Sequence, residues 1–296
     1  MLRRLLLLTL FTGVAGPLAA APITFNTALP VATGEFVFRE QGVLLQSGND
    51  PGPADRDRSE RTAVTALGYG LARRLALFGV LPYRSIRLKL SSGDRRLNRN
   101  SEGIGDLRLF GRYTLWQANR PGRTLRFAPF FGVEAPTGED RERDGQGTLP
   151  PAAQPGSGSW DPFAGAVVTF QTLRYQIDAQ LAYQDNRKAN DFEAGDLARL
   201  DASLQYRLWP GSLGGGVPDY LYGVIESNLF YRRKDRVAGL SDRNSGGSQW
   251  FLSPGLQYVT RRWIVEAAAQ IPVWQDLNGT ALENDYILRA GVRVNF

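Results

Sequence analysis

The sequence predicts an all-β fold: a transmembrane antiparallel up-and-down β-barrel of about twelve strands in a bacterial outer membrane. Three observations lead to this prediction. The chain opens with a basic start and a short apolar run, strand-length stretches with one apolar and one polar face recur along the remainder, and long and short connections alternate between these stretches. Together these observations favour a membrane barrel over a water-soluble β-sandwich.

The first residues have the layout of a secretory signal peptide. Arg3 and Arg4 are followed by an apolar run over residues 5–14 and by small residues up to Ala21. This run is too short to cross a bilayer as a helix, which needs about 20 apolar residues. We therefore expect three parts: a cleaved signal peptide at residues 1–21, a periplasmic N-terminal segment at residues 22–32 and the outer-membrane barrel at residues 33–296.

Alternation between apolar and polar positions predicts the strands. In the C-terminal stretch every even position from Tyr286 to Phe296 is apolar, whereas Arg289 and Arg293 lie on the odd positions. Such stretches are about 10 to 14 residues long, as tilted membrane-spanning strands require, whereas strands of soluble proteins are usually about 5 or 6 residues long. We predict strands at residues 33–46, 60–71, 74–90, 104–116, 123–137, 159–171, 174–185, 196–209, 218–233, 248–260, 262–275 and 284–296.

The connections between these strands alternate in length. Short turns lie near residues 72, 118, 172, 211 and 261, and longer loops lie at residues 47–59, 91–103, 138–158, 186–195, 234–247 and 276–283. This alternation is typical of barrels with periplasmic turns, extracellular loops and both chain ends in the periplasm. Aromatic residues near the strand ends are expected to form interfacial girdles: Trp116, Trp209, Trp250, Tyr258, Trp263 and Tyr286.

The polar face of the strands carries charges of both signs. We expect the following side chains to line the lumen: Asp106, Arg108, Arg112, Arg126, Glu134, Asp178, Arg199, Asp201, Arg207, Glu226, Glu266, Arg289 and Arg293. Charges of both signs inside a barrel either pair and close it or line a wet passage, and the sequence leaves both alternatives open.

Composition excludes several kinds of chemistry. The chain has no Cys and no His, so it offers no disulfide, no thiol nucleophile and no imidazole base or ligand. Its net charge of +6 is too small to indicate a nucleic-acid partner. We therefore expect no enzyme activity, no cofactor and no metal site. An unaided carboxylate pair such as Asp178 with Asp201 is a weaker alternative.

Three motifs resemble a known family. They are GIGDLRLFGRY at residues 103–113, GVEAPTG at residues 132–138 and GSGSWDP at residues 156–162. In this order they resemble the outer-membrane family named for the meta-pathway of phenol degradation. The resemblance implies a barrel that helps hydrophobic or aromatic compounds to cross the outer membrane, and it implies no particular binding residues.

The expected function is that of a channel or transporter-like barrel for passive passage of small hydrophobic or aromatic solutes. A closed structural or surface-interaction barrel without transport is the alternative, and a membrane enzyme is a third hypothesis. The expected partners are outer-membrane lipid and lipopolysaccharide, the barrel-assembly machinery through the C-terminal Phe296, and a small-molecule solute.

Overall fold

The computed structural model describes residues 20–213 and 219–296. The predicted signal peptide therefore lies outside the described residues except for Ala20 and Ala21, and its cleavage stays a prediction. No helix in the described ranges is long and apolar enough to cross a membrane.

In chain order the β-strands are β1 (Phe36–Ser47), β2 (Asp57–Ala72), β3 (Leu75–Ser92), β4 (Arg95–Ile104), β5 (Leu107–Tyr113), β6 (Trp116–Arg120), β7 (Arg123–Ala135), β8 (Arg143–Asp144), β9 (Gly147–Thr148), β10 (Asp161–Thr172), β11 (Tyr175–Gln184), β12 (Phe192–Glu193), β13 (Leu197–Trp209), β14 (Tyr220–Arg232), β15 (Arg236–Val237), β16 (Leu240–Ser241), β17 (Gly247–Val259), β18 (Trp263–Leu277) and β19 (Tyr286–Asn295).

The long strands close into the predicted twelve-stranded antiparallel barrel. β4, β5 and β6 follow one another as a single wall strand, and β3 pairs with β4 and β5 while β7 pairs with β5 and β6. β1 and β19 close the barrel through ten residue pairs, from Val37 opposite Asn295 to Gln46 opposite Tyr286. This pairing of the first and last long strands removes the two free edges that an open sheet would expose to lipid.

One predicted loop is wrong. Residues 91–103 are mostly strand, because β4 pairs with β3 from Tyr83 opposite Ile104 to Ser92 opposite Arg95. The turn between the strands contains Gly93, whose positive φ of 59° suits glycine. Backbone pairing does not need an apolar face where the wall projects beyond lipid, so this polar stretch extends the barrel wall on the side of the long loops.

The outer face of the wall is apolar and the inner face is polar. On β13, Leu200, Leu204 and Leu208 are exposed, whereas Asp201 and Gln205 between them are fully buried. This arrangement is the reverse of a water-soluble protein, and it provides a lipid-facing belt around a polar interior. Aromatic residues exposed on the outer face lie near both ends of the strands: Trp116, Trp209, Tyr258 and Trp263 at the end of the short turns, and Tyr183, Trp250, Trp274 and Tyr286 at the end of the long loops.

Glu40 interrupts the apolar belt. It lies on the outer face of β1 directly opposite Thr65, whose hydroxyl donates to Glu40 Oε2 at 2.7 Å. Phe36 lies four residues nearer the short turns and stacks on Phe296, so Glu40 sits within the belt rather than at its rim. The Thr65 hydroxyl supplies one hydrogen bond to a carboxyl group in a region that otherwise carries apolar side chains.

Candidate functional site in the barrel lumen

The predicted lumen residues lie on the inward side of the wall, where several of them form ion pairs. Arg199 and Asp201 are 2.8 Å apart, and Arg108 and Glu134 are 3.3 Å apart. Glu266 contacts Arg39 and faces Arg293 at 3.5 Å. The remaining members are distributed around the inner wall on β5, β7, β11, β13, β14 and β19: Arg112, Arg126, Asp178, Arg207, Glu226 and Arg289. Asp106 lies between β4 and β5 and has the separate role described below.

A segment that the sequence analysis placed in the periplasm lies inside the barrel. Residues 20–32, here called the strap, enter the lumen next to the first residues of β1. Gly34 N donates to Gly70 O at 2.8 Å at this entry point. Ala20, Ala21, Ile23 and Ala28 are at most 2% exposed. The placement at residues 22–32 was therefore wrong, because wall side chains far away in the sequence determine where the strap lies.

Wall side chains bind the N–H groups of the strap. Glu226 accepts from Ile23 N at 2.7 Å and from Thr24 N at 3.0 Å. The Thr169 hydroxyl accepts from Ala28 N at 2.7 Å. The strap has no β-ladder partner, and buried backbone N–H groups need hydrogen bonds. Polar residues on the inner wall supply these bonds.

Three wall arginines bind the carbonyl groups of the strap. Arg39 donates to Ile23 O at 2.5 Å, Arg199 to Thr24 O at 3.4 Å and Arg112 to Leu29 O at 2.6 Å. These arginines lie on β1, β13 and β5, so the strap touches widely separated parts of the wall. It therefore narrows the lumen by following the inner wall.

Two small apolar contacts also hold the strap. Ile23 packs with Val224 and Ala268, and Ala28 packs with Ala128 and Val167. Gly255 makes room for the first contact, because a Cβ at this position would lie 2.9 Å from Ile23 Cδ1. The apolar area is small, so hydrogen bonds carry much of the attachment.

Four phenylalanines on the inner face form an aromatic wall. They are Phe78, Phe110, Phe130 and Phe163, on β3, β5, β7 and β10. Phe110 stacks on Phe78 at 4.8 Å between ring centroids and contacts Phe130 at 6.1 Å and Phe163 at 5.9 Å. Gly132 permits this packing, because a Cβ there would collide with Phe110 Cβ.

Arginines flank the aromatic wall on both sides. The Arg108 guanidinium carbon lies 4.4 Å from the centre of the Phe163 ring, and that of Arg112 lies 4.7 Å from the centre of the Phe78 ring. These distances suit cation–π contacts. A small cavity of about 70 Å³ lies beside Arg108, Phe130 and Phe163. The lumen therefore combines aromatic surface with positive charge.

The three sequence motifs meet at one junction. The Asp106 carboxylate accepts from Gly138 N at 2.9 Å and from Ser157 N at 2.6 Å. Close backbone packing requires glycine at two of these positions, because a Cβ on Gly138 would lie 2.7 Å from Gly105 C and one on Gly156 would lie 2.7 Å from Gly138 C. Asp106, predicted to line the lumen, thus anchors both ends of the loop at residues 138–158.

This loop folds onto the inner face of the barrel mouth. Leu149 and Ala153 pack with Ile86 and Leu88 of β3. Arg84 Nη1 donates to Pro155 O at 3.0 Å. The loop therefore narrows the lumen at the end opposite the strap entry.

An ion pair closes the loop between β1 and β2. Arg56 donates to both Asp50 oxygens at 2.8 Å through Nε and Nη2, and its backbone N donates to Asp50 at 2.7 Å. The side-chain hydrogen bonds from Arg56 are the main reason that the Asp50 pKa falls to about 2. Arg56 also contacts Thr280 O, so the pair joins this loop to the one between β18 and β19.

Within the described residues, no group of three or more Asp or Glu side chains is arranged to hold a metal ion. The site consists of ion pairs, amides and aromatic rings.

Comparison with known proteins identifies the family. The family model described as "Putative MetA-pathway of phenol degradation" matches residues 49–283, well beyond the three motifs. The chain belongs to this family. The resemblance seen in the motifs is thereby confirmed. No curated protein matches the chain.

One solved structure has the same fold, and others are less similar. The COG4313 outer membrane channel from Pseudomonas putida F1 is 15% identical, with 94% of this chain and 100% of that chain covered and a TM-score of 0.70. The transport unit of the autotransporter AIDA-I from Escherichia coli is 10% identical, with 92% of this chain and 94% of that chain covered and a TM-score of 0.49. The β domain of the Bordetella autotransporter BrkA is 13% identical, with 89% of this chain and 100% of that chain covered and a TM-score of 0.46. The family member described here is a bacterial outer-membrane β-barrel.

Proposed function

We propose that this barrel is a passive channel for small solutes across the outer membrane. The observation that carries the proposal is the way the strap is held. Hydrogen bonds to side chains such as Glu226, Thr169 and Arg112 attach it, and it forms no strand of the wall. The strap can therefore leave the lumen without breaking the barrel. The similarly folded protein from Pseudomonas putida F1 is itself described as an outer membrane channel.

Hydrophobic or aromatic solutes are the class that the lumen suits best. The aromatic wall offers stacked rings inside an otherwise polar interior, next to a small cavity. Aromatic solutes gain from such rings by offset stacking or edge contacts. Arginines over two of the rings favour solutes that also carry a polar group.

Purified protein in planar bilayers tests the channel directly. We expect the full mature chain to show low conductance, and a variant lacking residues 22–32 to show a larger and steadier conductance. No conductance in either protein would instead support the closed structural barrel.

We place the long loops outside the cell, in contact with lipopolysaccharide, and the short turns and the strap entry on the periplasmic side. The C-terminal Phe296 is the proposed contact for the barrel-assembly machinery. It is 63% exposed, and its backbone exchanges hydrogen bonds of 2.7 and 3.0 Å with Phe36. Replacing Phe296 by Ala should slow membrane insertion in cells.

A further inference from the structure

The three arginines that bind strap carbonyls differ in their counter-charges. Arg39 contacts Glu266, and Arg199 lies 2.8 Å from Asp201. Arg112 has no such partner, since no carboxylate among the described residues lies within 4.0 Å of its guanidinium nitrogens. The positive charge of Arg112 is therefore not neutralised by a direct ion pair.

Arg112 is also almost completely enclosed. It is 5% exposed, and within the described chain its hydrogen bond is the one to Leu29 O at 2.6 Å. A guanidinium has five N–H donors in a planar fork that matches the two oxygens of a carboxylate. A neutral carbonyl uses little of this capacity. A buried charge without a counter-ion is costly, so an anion at this position is favoured.

The surroundings of Arg112 define the rest of the ligand. Its guanidinium lies over Phe78 at 4.7 Å, and Phe130 is its direct cross-strand neighbour on β7. Phe110, two residues along β5, stacks on Phe78. An anion bound to Arg112 therefore has aromatic rings next to it, where an attached ring can stack.

We infer that Arg112 and the aromatic wall form a binding site for small aryl carboxylates, of which benzoate is the simplest. The carboxylate takes the place of the Leu29 carbonyl on Arg112, and the ring lies against Phe78 and Phe110. Loss of the Leu29 contact frees the end of the strap that is attached to β1. The inference rests on the proposed channel, because it names the solute class that opens the path.

A spin label on the strap tests the site. The sequence has no Cys, so a Pro30→Cys variant carries a single label next to Leu29 at an exposed position. In proteoliposomes at neutral pH we expect benzoate to increase the mobility of the label. Phenol, which is uncharged at this pH, and acetate, which has no ring, should require at least about tenfold higher concentrations, because each lacks one of the two contacts.

Substitutions in the labelled protein separate this site from general salt effects. Arg112→Gln keeps a donor for Leu29 O but loses the charge, so the response to benzoate should weaken at least about tenfold. Arg112→Lys should retain part of the response. Arg126→Gln is the matched control, since Arg126 is an inward arginine without a hydrogen bond to the strap, and it should respond like the parent protein.

The outcomes distinguish the site from the channel. An equal benzoate response in Arg112→Gln, or an equal response to phenol, contradicts the site. A label that does not respond to benzoate in a protein that conducts ions contradicts the site and leaves the channel standing. A selective benzoate response without any conductance leaves the site standing and contradicts the channel.

Discussion

Replacing Asp106 by Ala should release the loop at residues 138–158 from the barrel mouth. The Asp106 carboxylate accepts backbone hydrogen bonds from Gly138 and Ser157, at opposite ends of the loop, and it is 5% exposed. A hydrogen bond to a charged group contributes about 1.5 to 3 kcal/mol. Two such bonds give about 3 to 6 kcal/mol for holding the loop closed. Since about 1.4 kcal/mol is a factor of ten, the loop should open about a hundredfold more often or more.

Amide hydrogen exchange measures this effect at the two donors. In the Asp106→Ala variant, protection at Gly138 and Ser157 should fall about a hundredfold or more, and added protease should cut the loop in proteoliposomes. Asp106→Asn keeps one accepting oxygen, so the loss of amide protection in this variant should be intermediate. Glu102→Ala removes a nearby exposed carboxylate of β4 and should leave the loop protected. Unchanged protection in Asp106→Ala would refute the assigned role of this carboxylate.

Two other predictions test the lipid belt and the loop between β1 and β2. Leu204→Arg should destabilise the folded barrel by about 2 to 4 kcal/mol, whereas Leu208→Arg, beside Trp209 at the strand end, should cost at most about 1 kcal/mol. The free energy of unfolding in lipid vesicles measures both effects. Equal losses of stability would contradict the assigned depth of the two leucines in the membrane. Because the Asp50 pKa is lowered to about 2, its pair with Arg56 stabilises the loop above about pH 4 and is lost as the pH falls through about 2. Loop proteolysis by pepsin should rise over that range in the parent protein, and Asp50→Asn should be cut readily at the higher pH as well.

The wall of the barrel was predictable because its physical cause is local. Each lipid-facing side chain is followed by an inward one, so alternation along a single strand is sufficient to assign both faces. β13 shows this, with Leu204 outside and Gln205 inside as its sequence indicates. The β4 strand was missed because alternation in hydrophobicity ends where the wall leaves the lipid, whereas backbone pairing with β3 continues.

The aromatic wall had a signal in the sequence that the prediction did not use. Phe110 and Phe130 lie on the same parity as Arg108, Arg112 and Arg126, and hence on the inner face. Inward phenylalanines among inward arginines are an exception to the pattern of polar lumen residues. Their contact with one another comes from neighbouring strands and could not be obtained from any one strand.

The strap had no usable signal of this kind. Apolar and polar residues do not alternate along the strap, and the strap pairs with no strand. Its position depends on Glu226 and Gln257, which are more than 200 residues away in the chain. The pairing among wall charges was unpredictable for the same reason. Arg39, for example, is on β1 and its partner Glu266 is on β18.

The location of the strap imposes an order on barrel assembly. The strap precedes β1, yet apart from Arg39 and Gln41 of β1 the groups that hold it belong to later strands, among them β5, β10, β13, β14 and β17. No binding surface for it exists until these strands have curved into a wall. The strap therefore docks after the strands that hold it have formed. A barrel with the strap outside its lumen has the same wall and a different interior, so wall pairing alone does not define the finished protein.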